Sequence, residues 1–175
     1  DMNANAIPSR VTRRFGIVVT HSEARFFPTD VPGYSGTRVE MDLFQGSSLR
    51  VGKPVAILHT SVNGDFYYVE SPIQRGWVAA ENVAVGTRAE VKKLALDKNF
   101  LMAASHRVPV YGDPKFRSFA RYLYYSSTMP FEKKDVDGYI VKMPYRRPDG
   151  MIGVARGYIR PDADVHRGFF PYTKR

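Results

Sequence analysis

Apolar positions along this chain gather in short runs that stop at Gly, Pro, Asn or Asp, a pattern of strands and turns rather than of long helices. Phe15-Gly-Ile-Val-Val19 is a β-branched run, and Ala24-Arg-Phe-Phe27 ends at Pro28, which cannot donate to a strand ladder. Thr29 to Leu43 is rich in Pro, Gly, Ser and Asp and reads as a folded-back loop with functional potential. Val51-Gly-Lys-Pro54 then introduces the strand Val55-Ala-Ile-Leu-His59. Asn63-Gly64 tolerates the positive φ of a tight hairpin turn, and Phe66-Tyr-Tyr-Val69 returns as the partner strand. After Pro72 a loop leads to Gly76-Trp-Val78, and Glu81-Asn-Val83 suits a single helical turn.

Thr87-Arg-Ala-Glu90 has the spacing of a capping box, a hydroxyl for the first free amides and a carboxylate three residues on. It predicts one short helix over 87–96, ending near Asp97-Lys-Asn99. The second half opens with Phe100-Leu-Met102 and His106-Arg-Val-Pro-Val-Tyr111. Phe116, Phe119, Ala120 and Leu123 fall at helical spacing while Tyr122-Leu-Tyr-Tyr125 is strand-like, so both readings of this segment stand.

Beyond it the chain echoes itself. Ser61-Val-Asn-Gly64, a strand to Val69-Glu-Ser-Pro72 and then Gly76-Trp-Val78 find a counterpart in Asp135-Val-Asp-Gly138, a strand to Val141-Lys-Met-Pro144 and then Gly150-Met-Ile-Gly153-Val-Ala155. We read this as an internal repeat in two copies. Each copy holds five or six short strands by this reading, enough for a small closed barrel without exposed edges. The expectation is a mostly β chain, two small barrels joined by a short helical connector.

A length of 175 residues suits one mid-sized domain or two small ones, and an aromatic share of 13% supports strands over helices. The absence of cysteine excludes disulfides, a cysteine nucleophile and any zinc site built on thiolates. No apolar run approaches the ~18 residues of a membrane-spanning helix, and no signal peptide precedes Asp1; a start at Asp rather than Met reads as a mature or trimmed product. The net charge of +9 favours an anionic environment, but the basic residues fall as scattered doublets such as Arg13-Arg14 and Lys133-Lys134, which read as solvated surface.

The ordered series Arg25-Phe-Phe-Pro-Thr29, Leu43-Phe-Gln-Gly46, Gly52-Lys-Pro54, Ile57-Leu-His59, Asn63-Gly64 and Gly76-Trp-Val78 resembles the first bacterial SH3-like (SH3b) domain of NlpC/P60-class cell-wall endopeptidases, the γ-D-glutamyl-L-diamino acid endopeptidases. Val108-Pro-Val-Tyr111 to Asp164-Val-His-Arg-Gly168 and Pro171-Tyr-Thr173 are similar to the second SH3b domain and its exit segment. The resemblance implies two SH3-like barrels: an arm over 1–12, a first SH3b domain over 13–86, a helical linker over 87–98, a second SH3b domain over 99–168 and an exit segment over 169–175. In that family a catalytic domain with a cysteine nucleophile follows the second SH3b domain. This chain has no cysteine and ends where that domain would begin, so no catalytic residue carries over and no enzyme activity is expected of it.

The four histidines, His21, His59, His106 and His166, lack metal-ligand spacing, and His59 at a strand end reads as a hydrogen-bonded structural residue. Ser47-Ser48 and Ser126-Ser127 lack a nucleophile-elbow context and read as turn residues. Trp77 can either close one end of a barrel or stack on a sugar or peptide face. In the resembled family the first SH3b domain borders the catalytic cleft and helps recognise the free amino end of the peptide stem. The resemblance therefore implies substrate contacts by a carboxylate and aromatic residues, for which Glu23, Phe27, Tyr34, Tyr67 and Trp77 are the candidates. It implies no cofactor and no metal. The implied partners are an NlpC/P60 catalytic domain, in cis or as a separate chain, and peptidoglycan stem peptides, in the periplasm or cell envelope. The alternative is a basic nucleic-acid-binding β-barrel, on the grounds of charge and tyrosine content, although no RNA-recognition signature is present.

Overall fold

In a computed structural model of the chain, which describes residues 1–7, 9, 12–36 and 40–170, the short apolar runs pair into two seven-stranded antiparallel sheets. The first comprises β1 (Arg14–Val18), β2 (Ser22–Arg25), β3 (Gln45–Leu49), β4 (Pro54–Thr60), β5 (Phe66–Glu70), β6 (Arg75–Ala79) and β7 (Val83–Gly86). A single helix, α1 (Arg88–Ala95), leads to the second, with β8 (Phe100–Ala103), β9 (Arg107–Tyr111), β10 (Phe119–Tyr124), β11 (Thr128–Asp135), β12 (Gly138–Arg146), β13 (Ile152–Ile159) and β14 (Val165–Arg167). Among the described residues no helix is long and apolar enough to cross a membrane.

The strand order is β3-β2-β6-β5-β4-β1-β7 in one sheet and β10-β9-β13-β12-β11-β8-β14 in the other, so adding seven to each strand number converts the first into the second. The repeat read from the sequence is thus a repeat of topology. Its two echoed turns join β4 to β5 and β11 to β12, equivalent hairpins, and the glycine-led strands β6 and β13 are equivalent too.

Three expectations change in detail. No described pairing joins β3 to β7 or β10 to β14, so the closed barrels appear as two sheets with these strands at their edges. Each sheet has seven strands where five or six were expected; in the first, β3, Gln-Gly-Ser-Ser-Leu, is too polar to signal a strand, and Ser47-Ser48 lies within it rather than in a turn. The Asn63-Gly64 hairpin is wider than a two-residue turn: the link spans Ser61–Asp65, and only Gly64 takes a positive φ, at 80°. The Ser61 hydroxyl accepts the Phe66 N–H (3.0 Å) and closes it.

The capping box forms as the sequence predicts. The Thr87 hydroxyl accepts the Glu90 N–H at 3.2 Å, and the Glu90 carboxylate accepts the Thr87 N–H at 2.8 Å. The ambiguous segment is a strand, β10, because pairing with β9 buries Leu123 completely, a long-range gain that local periodicity does not register. In the arm, Ala4–Ala6 forms a 3-10 turn, and His59 Nε2 lies 3.1 and 2.9 Å from the Met2 and Asn3 carbonyls, tying arm to β4. From residue 171 on, the expected exit segment lies outside the described residues.

Each sheet wraps its own apolar cluster, around Val18, Leu49, Ile57 and Val69 in the first and Leu101, Val110, Leu123, Met129 and Ile159 in the second. A third cluster joins them: Ile17, Val19 and Ala84 of the first half meet Leu94 of α1, with Ile152 of β13 packed against it. Val51, at the β3–β4 turn, belongs to the second sheet's core although the first sheet supplies it. Gly52, next to it, adopts φ 86°, and a Cβ there would overlap the Thr128 carbonyl, so the backbones of the two halves meet where only glycine fits.

Candidate functional site

On β2 Glu23 reaches solvent while Arg25, beyond a register shift in the pairing with β3 at Ala24/Arg25, is 5% exposed. A buried guanidinium needs acceptors for its donors; its two terminal nitrogens obtain them from both sides, while Nε has none among the described residues. Its Nη1 donates to Glu23 (2.6 Å), and its Nη2 meets Asp42 (2.7 Å) and the Val31 carbonyl (3.1 Å). Burial works against the charge of Arg25, yet Asp42 and Glu23 outweigh it and raise the guanidinium pKa above its usual value.

Asp42 is the second half of this clamp. One carboxylate oxygen accepts the Gly33 N–H (2.8 Å) and the Phe44 N–H (2.9 Å), and the other pairs with Arg25. Desolvation opposes ionisation, but the Gly33 and Phe44 amides and Arg25 together hold the Asp42 carboxyl below the ordinary carboxylate range. With the backbone bonds Leu43 N–H to Gly33 (2.8 Å) and Phe26 N–H to Phe44 (2.9 Å), the clamp pins both ends of the loop after β2. The loop presents Phe26, Phe27 and Tyr34 to solvent, with Phe27 set edge-on against Phe44 at 4.9 Å.

The structure therefore divides the residues singled out from the sequence. Glu23, Phe27 and Tyr34 are surface residues on or beside the clamped loop, Phe27 and Tyr34 being 43% and 48% exposed. Tyr67 and Trp77 are in the interior, at 8% and 4% exposed. Tyr67 packs in the first core beneath the Arg14 guanidinium, and Trp77 lies against Tyr68 (5.3 Å) and His59 (6.1 Å), opposite Arg25 on the neighbouring strand. Of the two uses open to Trp77, packing within the first sheet is the one its burial serves. The sequence reading passed over Arg25 and Asp42, seventeen positions apart and joined only by folding. Among the described residues no cluster of three or more His, Asp or Glu groups is arranged to hold a metal ion.

Residues 30–79, from the clamped loop through β6, match the family model for an SH3 domain of the SH3b1 type. No curated protein matches the chain. Among solved structures, a novel NlpC/P60 endopeptidase from Photobacterium damselae subsp. piscicida superposes on 95% of this chain with a TM-score of 0.74 at 18% identity. The chain spans 36% of that structure's length, and at this identity the likeness is one of fold. NlpC2 from Trichomonas vaginalis also aligns, over 90% of this chain and 49% of that one at 17% identity, but its TM-score of 0.31 carries no weight. The match to the SH3b1-type model thus falls within the first sheet, and the two sheets together are similar in fold to about a third of the length of that endopeptidase.

Proposed function

We propose that this chain is the non-catalytic tandem SH3b module of a peptidoglycan stem-peptide endopeptidase, a cysteine peptidase of the NlpC/P60 class that cleaves γ-D-glutamyl-L-diamino acid bonds. The two sheets are its SH3b units, small SH3-like barrels over 13–86 and 99–168, with 87–98 as connector. The cysteine comes from a catalytic domain in cis or on a separate chain, and the site of action is the cell envelope. The observation that carries this reading is the superposition of both sheets, in one arrangement, on a single NlpC/P60 endopeptidase. The SH3b1 match over 30–79 supports it.

In this reading the module narrows the substrate cleft. Glu23, held in place by Arg25, meets the ammonium at the free end of the stem peptide, while Phe27 and Tyr34 supply aromatic walls. Tyr67 and Trp77 support the strands behind them. Calorimetric titration of the chain with a stem peptide bearing a free amino end tests it, with the N-acetylated peptide as control. Glu23→Gln is expected to weaken binding by about tenfold, the loss of one charge-assisted hydrogen bond. Equal affinity for the acetylated peptide would remove Glu23 from this role. Incubated alone with peptidoglycan, the chain is expected to release no dipeptide, and any release would overturn the non-catalytic assignment.

A further inference from the structure

The repeat provides an internal control for surface chemistry. β3 and β10 occupy the same edge position in their sheets, yet β3 reads Gln45-Gly-Ser-Ser-Leu49 and β10 reads Phe119-Ala-Arg-Tyr-Leu-Tyr124. The fold is built without aromatic residues at this edge in one copy, so it does not require them in the other. Phe119 is nevertheless 52% exposed and Tyr122 40% exposed.

These rings belong to a continuous row. Phe116 contacts Tyr111 (5.5 Å), Tyr111 contacts Phe119 (6.5 Å), and Phe119 contacts Tyr122 (4.7 Å). Guanidinium groups are laid over the row. Arg160 sits over Phe116 and Tyr111, Arg107 bridges Tyr122 and Tyr124, and Arg50 comes from the first half to Tyr124, all at 5.5 to 5.8 Å. Arg50, Arg107 and Arg160 are in none of the ion pairs among the described residues. Asp113, the carboxylate nearest in sequence to Phe116, accepts the backbone N–H groups of Lys115, Arg117 and Ser118 instead. Phe116 itself holds φ at 56°, a conformation costly for an aromatic residue.

An arginine braced on a ring has little further freedom to lose, and the N–H groups it does not use within the fold can grip a carboxylate or phosphate; Arg50 also places Nη1 3.4 Å from His21 Nδ1. Arg107 and Tyr111 lie four positions apart on β9, about 13 Å along a strand, so the two cationic ends of the row suit a polymer rather than a single sugar. Successive rings are inclined at 54° to 87°, with no parallel pair to sandwich a nucleobase. Exposed ring faces and edges beside guanidinium groups instead match pyranose C–H faces and pendant carboxylates.

We infer that the β9–β10 face of the second sheet is a binding track for an acidic cell-wall glycan strand, with Phe119 and Tyr122 stacking on sugars and Arg50, Arg107 and Arg160 holding its anionic groups. This rests on the envelope reading proposed above but uses a surface remote in sequence from Glu23.

Co-sedimentation of the full chain with purified peptidoglycan sacculi, at rising salt, tests it. The wild-type chain is expected to sediment with sacculi and to be released by salt. Arg107→Ala combined with Tyr122→Ala is expected to weaken retention by about tenfold or more while leaving the melting temperature near wild type, since both side chains are exposed. Lys93→Ala, which removes an exposed cation from the last turn of α1, should sediment as wild type does. Retention unchanged in the double variant, or tighter binding to a poly-dT oligonucleotide than to sacculi, would overturn the track. If sacculi are not retained while the free-amino stem peptide still binds through Glu23, the track falls and the module assignment stands. If the sacculi bind through the track but the stem peptide does not bind, the reverse holds.

Discussion

At the scale of single residues, the loop after β2 depends on Asp42 more than on any aromatic residue it displays. Its carboxylate engages two amides and a buried guanidinium at once, all of which favour the charged form. The lowered pKa gives the sign of the pH effect. In the unfolded chain Asp42 binds its proton near the ordinary aspartate value of about 4, and in the folded chain only at lower pH. The stabilisation is therefore complete above that range and is lost as pH falls through the folded value. In an NMR titration the Gly33 and Phe44 amides should move together below about pH 4, and in Asp42→Asn they should sit near their displaced positions already at neutral pH. Amides that stay in place in Asp42→Asn would show that the loop does not hang on this carboxylate. Glu23, Phe27 and Tyr34 were named only through the family resemblance, and the structure adds that they are exposed on or beside the clamped loop. The burial of Arg25 was not legible, because an arginine reads as surface until a fold supplies buried acceptors for it.

At the scale of elements, α1 shows how local signals succeed where they are complete. Thr87 and Glu90 satisfy each other's backbone amides within four residues, so the helix start was readable without any tertiary information. Removing the hydroxyl by Thr87→Ala should cost about 1 kcal/mol, measured by denaturant unfolding. A loss below the error of that measurement would mean that packing of Val91 and Leu94, at 4% and 8% exposed, holds the helix by itself. The strands were legible where β-branched or aromatic residues alternate, as in β4 and β5. They were not legible in β3, whose stability comes from pairing with β2, nor in β10, where helical and strand spacings coexist and β9 decides between them.

At the scale of the whole molecule, the two repeats share packing that neither contains alone. Val51 crosses from the first sheet into the second core, Val85 N–H donates to the Gly150 carbonyl (2.9 Å), and Arg146 donates to the Ala80 carbonyl (3.1 Å). Arg121, on β10, reaches the carbonyls of Val19 and Pro144, and its burial among neutral groups pulls its pKa below the usual arginine value. Such a seam predicts one cooperative unfolding transition rather than two. Val51→Ala, which removes two buried methyl groups from the second core by a change in the first repeat, should cost about 2 to 3 kcal/mol and keep the transition single. Two resolved calorimetric peaks in the wild-type chain would show that the halves unfold independently.

The sequence by itself determined what is local: the runs that pair as hairpins, the capped helix, the two-fold echo of turn, strand and proline, and the absence of a cysteine nucleophile. The hairpins and the helix depend on residues within a few positions of one another, where backbone preference and side-chain spacing act directly; the echo compares two such local series, and the missing cysteine is composition. Tertiary structure alone decided the rest. It buried Arg25 beside Asp42, took Trp77 and Tyr67 out of solvent, carried Val51 across the seam, and lined up rings and guanidinium groups from both halves along β9 and β10. Burial and long-range pairing are properties of the folded chain, and the same residue type serves as core or as surface according to which strand lies beside it.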